Sequence, residues 1–143
     1  MIVLDTDVVS LLRHPDSPTA TRISRLLHEA AASNEQVATT IVNYEEHMRG
    51  WMSIVNSART MQELIHAYTR LASLVEDYRR IEVLRFTELA ATHLQRLQKQ
   101  KLRLGTMDLR IAAIALAHDA TLFTRNLRDF SKIPGLKVQD PLA

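Results

Sequence analysis

Short apolar runs alternate with helical patterns from one end of the chain to the other. Each run is rich in aliphatic or β-branched residues, which is typical of a buried strand. The predicted strands are Ile2–Asp5, Val37–Thr40, Ile81–Leu84, Thr121–Thr124 and Leu136–Val138. Strands that alternate with helices indicate a parallel sheet with helices on both faces. We therefore expect an α/β protein with a central, mostly parallel sheet of four to five strands and one domain over residues 1–143.

Apolar residues recur every three or four positions between these strands, which predicts amphipathic helices. A short helix follows Asp5 and stops before His14-Pro15. Further helices are expected from Ser17 to Ser33 and over residues 41–56, 61–80, 88–104 and from about 107 onward. Thr106 is a candidate N-cap for the last of these, and residues 126–130 are expected to form a polar loop or turn. The two long helices within 61–104 are expected to pack as an antiparallel pair in the core, although a protruding pair used for dimerisation is the alternative.

The amino-acid composition excludes several kinds of functional site. The chain has no Cys, so disulfides, thiolate metal sites and cysteine nucleophiles are impossible. The longest plain apolar run, Ile111–Ala117, is too short to span a bilayer, and the N-terminus has no leader-like pattern. We therefore expect a cytoplasmic protein that does not contact a membrane.

Charge is distributed unevenly although the net charge is only +2. Residues 72–143 hold twelve Arg and Lys against eight Asp and Glu, whereas residues 1–71 hold six against eight. The densest basic stretch contains Arg79, Arg80, Arg85, Arg96, Lys99, Lys101 and Arg103. Such a stretch is either a solvated helix face or a surface for a phosphate backbone.

Several acids stand at the ends of predicted elements. Asp5 ends the first strand, Glu45-Glu46 lie in the first turns of a helix, Asp108 lies in the first turn of another, and Asp129 follows the fourth strand. Right-handed crossovers bring the carboxyl ends of parallel strands to one edge of the sheet. Carboxylates that converge there repel one another unless a hard cation neutralises them, and oxygen-only ligands favour Mg²⁺ or Mn²⁺. Taken singly, Glu46 and Asp108 could instead stabilise helix N-termini, and Asp129 could be a turn residue.

Four ordered motifs resemble those of the PIN-domain family, and in particular its VapC-like ribonuclease toxins of type II toxin–antitoxin systems. The first runs from Val3 to Ser10 and contains Asp5, and the second runs from Thr40 to Gly50 with an acid four residues ahead of the glycine. Residues 107–113 and 122–130 resemble the third and fourth motifs, and residues 133–136 resemble the usual tail. The resemblance spans nearly the whole chain, and it implies a three-layer α/β/α fold.

The resemblance also implies roles for individual residues. It makes Asp5, Glu46 and Asp108 acids of a metal site. Members of the family place a fourth acid either where Asn126 stands or where Asp129 stands. Since Asn126 is an amide, the resemblance selects Asp129 as the fourth acid. Thr6 and Thr124 would support these acids with their hydroxyls, while Asn126 and Arg125 would orient water or hold phosphate. The spacing to Gly50 selects Glu46 as the ligand, but the apolar stripe of that helix leaves Glu45 as an alternative.

The function that the resemblance implies is Mg²⁺- or Mn²⁺-dependent hydrolysis of RNA phosphodiester bonds, with single-stranded RNA as the substrate. It also implies a small antitoxin partner and a homodimer, and the outer sides of the helices in 61–80 and 88–104 are the candidate partner surface. Two alternatives remain. One is a PIN-like protein that binds RNA in a regulatory role without catalysis. The other is a haloacid dehalogenase-like phosphatase. Its first motif is similar to Asp5-Thr6-Asp7-Val8-Val9, but the sequence has no adjacent Asp pair to supply the later acidic pair that this chemistry needs.

Overall fold

The structure, a computed structural model, describes all 143 residues and contains five strands and seven helices. The strands are β1 (Ile2–Leu4), β2 (Val37–Thr40), β3 (Glu82–Leu84), β4 (Thr121–Phe123) and β5 (Lys137–Gln139). The helices are α1 (Thr6–Leu12), α2 (Pro18–Ala32), α3 (Ile41–Ser57), α4 (Met61–Arg79), α5 (Glu88–Lys99), α6 (Thr106–Ala117) and α7 (Leu127–Phe130). The predicted α/β class is therefore confirmed. No helix combines the length and the apolar character that crossing a membrane requires.

The five strands form one sheet in the order β3-β2-β1-β4-β5, and all four pairings are parallel. β1 is the central strand, with Val3 opposite Ala38 on one side and opposite Leu122 on the other. The carboxyl ends of β1, β2 and β4 consequently lie side by side at one edge. Open α/β sheets bind their ligands beyond this edge.

Each face of the sheet has its own hydrophobic core. Val3, Ala38 and Leu122 face a cluster that includes residues of α5 and α6, and Ile2 and Leu4 face a cluster that includes residues of α1, α2 and α4. Side chains alternate between the faces of a strand, which is why neighbours along β1 belong to different cores. Since α4 and α5 pack on opposite faces, the predicted antiparallel pair over 61–104 is wrong: the chain changes face at β3 between them.

Three local predictions are also corrected. α5 ends at Lys99 rather than near 104, and Lys101 just beyond it adopts a left-handed conformation with φ 51°. Gly105, not Thr106, is the N-cap of α6, and no side chain caps that helix. Residues 127–130 form the short helix α7, whose Phe130 is fully buried.

The burial of α3 differs most from its apolar pattern. Its buried residues are Val42 and Asn43, whereas Ile41 and Met52 are 41% and 50% exposed. The helix thus places a polar side chain, that of Asn43, in the interior at the carboxyl edge of the sheet.

We expect Gly50→Ala to stabilise the protein. Gly50 lies in the interior of α3, and a Cβ added there would meet no atom within 4 Å. Because alanine loses less conformational freedom than glycine in a helix, the free energy of unfolding should rise by about 0.5–1 kcal/mol in urea denaturation. Gly135→Ala is the matched control: φ at Gly135 is +81°, so this change should destabilise by about 1–2 kcal/mol. A destabilised Gly50→Ala variant would contradict the open environment of Gly50.

Candidate functional site

The side chain of Asp5 is the centre of the carboxyl edge. Asp5 follows β1, is the N-cap of α1 and is only 7% exposed. Its Oδ1 accepts hydrogen bonds from the backbone N of Thr6 at 2.8 Å and from Nδ2 of Asn43 at 3.0 Å. Its Oδ2 accepts one from Oγ1 of Thr124 at 2.7 Å. Donors from three separate segments of the chain therefore hold one buried carboxylate.

Asn43 connects Asp5 to the second motif. Its Oδ1 accepts from the backbone N of Thr40, and its backbone N donates to Oγ1 of Thr40 at 3.2 Å, which together form a capping box at the start of α3. Its Oδ1 also accepts from Oγ1 of Thr40, and its Nδ2 donates to Oγ1 of Thr6 at 3.0 Å. Sequence reasoning missed Asn43. The available signal was its place three residues after Thr40, the spacing of a capping box.

Glu46 and Glu45 point to different places. Oε2 of Glu46 accepts a hydrogen bond from Oγ1 of Thr6 at 3.1 Å. Glu45 instead pairs with Arg49, the residue one turn along α3, at 2.6 Å. Of the two alternatives, Glu46 is therefore the one beside the residues around Asp5, and its role as a metal ligand stays a prediction.

Asp7 is a second acid that the predicted metal set did not include. Its Oδ2 accepts from the backbone N of Arg125 at 3.0 Å, but its Oδ1 is buried and has no hydrogen-bond partner. Asp7 occupies the first turn of α1, two residues after Asp5, and this proximity was the signal available in the sequence. An unpartnered buried carboxylate oxygen is costly unless a proton or a cation compensates it.

The remaining predicted residues belong to α6 and to the segment that follows β4. Asp108 is half-buried in the first turn of α6. Asn126 donates from its backbone N to Oγ1 of Thr124 at 3.0 Å and from its Nδ2 to Oδ2 of Asp129 at 3.1 Å. Asp129 also pairs with Lys132 at 3.4 Å. The side chain of Arg125 is exposed.

Burial and mutual repulsion shift the pKa values of these acids. Desolvation raises the pKa of Asp5, Asp7, Glu46 and Asp108 above their ordinary values. The charge of Asp5 raises the pKa of the other three further, and Asp108 adds to the increase at Glu46. The pKa of Asp129 is lowered instead, first by the hydrogen bond from Asn126. Four acids therefore share an environment that disfavours their negative charge.

The donor set fits a divalent cation, although the acids do not form a finished cage. No three acidic or histidine side chains of the chain are already close enough together to hold a metal ion. The unpartnered oxygen of Asp7 and the repulsion among the other acids are nevertheless what a nearby cation would relieve. Since every candidate ligand is an oxygen, hard ions such as Mg²⁺ or Mn²⁺ suit the site best.

Comparison with known proteins identifies the family of this chain. The profile of the PIN domain family matches residues 2–136. The chain belongs to the PIN domain family. It is 33% identical over 118 residues to the tRNA(fMet)-specific endonuclease VapC of Salmonella typhimurium, covering 71% of this chain and 89% of that relative. It is 28% identical over 139 residues to Ribonuclease VapC1 of Haemophilus influenzae strain R2866, covering 96% of each.

Solved structures resemble this PIN domain over nearly its whole length. VapBC-1 from nontypeable Haemophilus influenzae has a TM-score of 0.70 and 25% identity, with all of both chains covered. VapBC2 from Rickettsia felis, bound to a DNA fragment from its promoter, has a TM-score of 0.69 and 25% identity, covering 97% of this chain and 98% of that chain. The resemblance seen in the sequence motifs and the expected three-layer fold are confirmed.

Ser10, His47 and Tyr78 form a second set of polar contacts in this PIN domain. Oγ of Ser10 and Nε2 of His47 are 2.7 Å apart, and Nδ1 of His47 is 2.6 Å from the hydroxyl of Tyr78. Burial, reinforced by Arg13, lowers the pKa of His47 to about 4, so the ring is neutral near pH 7. These contacts connect α1, α3 and α4. Ser10 lies inside a helix and lacks the strained turn of a serine nucleophile. We therefore assign the contacts a structural role in packing the three helices.

We expect Asp108→Asn to stabilise the metal-free protein near neutral pH. The folded-state pKa of Asp108 is raised above its ordinary value of 3.8, mainly by desolvation and then by Asp5 and Asp129. The charged carboxylate therefore destabilises the fold above the folded-state pKa, and the penalty vanishes as the pH falls below the unfolded-state value. Urea denaturation in EDTA should show a gain for Asp108→Asn at pH 7 that is lost near pH 3, below the ordinary pKa of 3.8.

The control for this experiment is Asp16→Asn, which changes an exposed acid in the loop between α1 and α2. Because this side chain is exposed, its effect on the free energy of unfolding should stay within about 0.5 kcal/mol in both measurements. A gain for Asp108→Asn that persists undiminished at pH 3, or no gain at pH 7, would contradict the electrostatic account of the site.

Proposed function

We propose that this PIN domain is a metal-dependent endoribonuclease and the toxin of a toxin–antitoxin pair, acting in the cytoplasm. One observation carries the proposal: Asp5, buried at the carboxyl end of the central strand, is held by three donors within reach of the charges of Asp7, Glu46 and Asp108. The ribonuclease names of its relatives support the same chemistry on RNA.

Each site residue has a role in this mechanism. Asp5, Glu46 and Asp108 hold Mg²⁺ or Mn²⁺, and Asp129 serves as the fourth acid. A bound divalent ion lowers the pKa of water and stabilises charge on the phosphoryl and leaving oxygens. The hydroxyls of Thr6 and Thr124 orient Glu46 and Asp5 through the hydrogen bonds that they donate. Asn126 orients Asp129 in the same way.

Cations near the same edge bind the RNA backbone. Arg125 follows β4, Arg128 lies in α7 and Arg85 follows β3, and all three are exposed. Arg79 and Arg80, by contrast, precede β3 and therefore lie toward the opposite edge of the sheet. The residues of the basic stretch identified in the sequence thus lie at two different edges of the sheet. Arg85 is better placed than Arg79 and Arg80 to contact a substrate at the carboxyl edge. The substrate is single-stranded RNA, whose backbone and bases are accessible to such an open edge.

A PIN-like RNA-binding protein without catalysis is the second candidate. It is favoured by one observation, namely that the acids do not already form a cluster that could hold an ion. The phosphatase alternative has less support, because its resemblance covers only residues 5–9 whereas the PIN profile matches residues 2–136.

RNA cleavage decides between these candidates. Purified protein, freed of any partner, should cleave a labelled mixed RNA pool with Mg²⁺ or Mn²⁺ and should fail to cleave it in EDTA. Asp5→Asn should reduce the rate by at least about 100-fold, because a central metal ligand is lost. The exposed Asp16→Asn variant should cleave at the wild-type rate. Cleavage that survives both EDTA and Asp5→Asn would rule out the metal-dependent mechanism.

The toxin role implies two protein partners, an antitoxin and a second copy of the chain. Related structures are VapBC complexes, which supports an antitoxin partner here. For the second copy, α4 offers an exposed apolar stripe in addition to its buried face. The stripe consists of Met61, Ile65, Tyr68 and Val75, which are between 45% and 73% exposed.

The spacing of this α4 stripe suits pairing with itself. Met61 and Val75 each lie seven residues from Tyr68, so an antiparallel pair centred on Tyr68 brings Met61 of one copy opposite Val75 of the other. The same arrangement places Arg59 at one end near Glu76 at the other, where opposite charges attract. The homodimer interface is therefore the α4 stripe rather than the outer side of α5.

Charged substitutions distinguish these two surfaces. In light scattering of the purified chain, wild type should be a dimer and Ile65→Glu a monomer, because the new charge would be buried between two copies. Leu89→Glu is the matched control on α5, where Leu89 is 54% exposed, and it should remain a dimer. A monomeric wild type, or a dimer that survives Ile65→Glu, would exclude α4 as the interface.

A further inference from the structure

Asn43 uses all of its hydrogen-bonding capacity inside the protein. The side chain is completely buried. Its oxygen accepts from the backbone N of Thr40 at 3.1 Å and from Oγ1 of Thr40 at 2.7 Å. Its nitrogen donates to Oδ1 of Asp5 and to Oγ1 of Thr6, each at 3.0 Å. A flipped amide would place its oxygen against the carboxylate, so the orientation of the group is fixed.

This orientation sets the direction of the hydroxyl of Thr6. Because Oγ1 of Thr6 accepts a hydrogen bond from Asn43, its own proton is free to point to Oε2 of Glu46, 3.1 Å away. One amide therefore controls both carboxylates, that of Asp5 directly and that of Glu46 through a single hydroxyl.

The same contacts determine which oxygen of Asp5 remains open. A carboxylate oxygen has two acceptor positions. Both positions of Oδ1 are taken, by the backbone N of Thr6 and by Asn43, whereas Oδ2 receives only the hydroxyl of Thr124. The open position of Asp5 is thus on Oδ2.

We propose that Asn43 is a positioning residue for the metal-binding carboxylates: it saturates Oδ1 of Asp5, leaves Oδ2 as the oxygen that binds a cation, and aligns Glu46 through Thr6. The inference rests on the proposed function, because it assigns Asn43 a role toward the same ion. It is distinct from the capping of α3, which uses the side-chain oxygen and the backbone N of Asn43 together with Thr40 but does not use Nδ2.

Three substitutions separate the positioning role from the capping role. Asn43→Asp keeps an oxygen that can accept from Thr40 but loses the two donated hydrogen bonds to Asp5 and Thr6. Thr40→Val removes the capping hydroxyl but leaves Asn43 able to donate to Asp5 and Thr6. Asn43→Ala removes both sets of contacts. If Asn43 only caps the helix, Thr40→Val and Asn43→Ala should behave alike at the metal site. Asn43→Asp also places a second carboxylate beside Asp5, so the comparison of Asn43→Ala with Thr40→Val is the one that separates the two roles.

The first measurement is the binding of Mn²⁺ alone by calorimetry, with no RNA present. Asn43→Ala should bind Mn²⁺ about tenfold more weakly than wild type, as expected for loss of a residue that orients ligands, while Thr40→Val should stay within about twofold. Equal affinities for Asn43→Ala and Thr40→Val would overturn the proposal, because they would leave Asn43 with capping alone.

The second measurement is the single-turnover cleavage of one RNA that wild type cuts, at saturating Mn²⁺. Asn43→Asp, which retains the cap and remains testable if Asn43→Ala does not fold, should lose about 10- to 100-fold in maximal rate with little change in the concentration that gives half-maximal rate. A wild-type rate in Asn43→Asp would overturn the proposal.

The outcomes also separate this inference from the proposed function. Wild type that binds Mn²⁺ in a way that depends on Asn43 but cuts no RNA would contradict the nuclease proposal and support the positioning role. Wild type that binds no Mn²⁺ would contradict both.

Discussion

The buried carboxylate of Asp5 is the constraint on which the carboxyl edge of this protein depends. A charge at the end of the central strand is costly unless donors or a cation compensate it. Three donors converge on it, from the first turn of α1, from α3 and from the residue after β4. The positions of β2 and β4 on either side of β1 bring those donors together. Sheet order and site geometry are thus two aspects of one arrangement.

Buried polarity is concentrated at this edge. The buried polar side chains lie in the last residues of β2 or within three residues after β1, β2 or β4. They are those of Asp5, Thr39, Thr40, Asn43 and Thr124. Thr39 donates to the backbone oxygen of Leu4, and the other four form the network around Asp5. Because the strands contain only three or four residues, these side chains extend the cross-strand bonding beyond the ends of the ladder. Apart from the partly buried hydrogen bonds of Ser10, His47 and Tyr78, the carboxyl edge is where the buried polar side chains of this protein meet.

Sequence patterns predicted the strands and the position of Asp5 at the end of the first one. A short apolar run that ends in an acid is typical of a buried strand with a carboxylate at its end. The same patterns did not predict features that depend on tertiary contacts. The apolar stripe of α3 gave no sign that Asn43 would be its most important buried residue, since a polar residue is assigned to the surface unless its partners are known. Periodicity in 61–104 identified two helices but not that they pack on opposite faces, because a helix pattern does not say which side of a sheet it covers. The acids were recognised as candidate ligands, and the sequence could not show that Asp7 keeps an unpartnered oxygen among them.

The central position of β1 has a consequence for the order in which the molecule can be made. A ribosome delivers β1 first, yet β4, one of its two neighbours, and Thr124, the donor to Oδ2 of Asp5, are 119 positions later. Until that stretch has emerged, one edge of β1 is open and Oδ2 of Asp5 lacks its donor, although Thr6 and Asn43 are already available to Oδ1. Contacts so distant in sequence form late. Asp108 arrives only shortly before. A nascent or truncated chain therefore cannot assemble the acidic edge, and any activity of that edge belongs to the finished molecule alone.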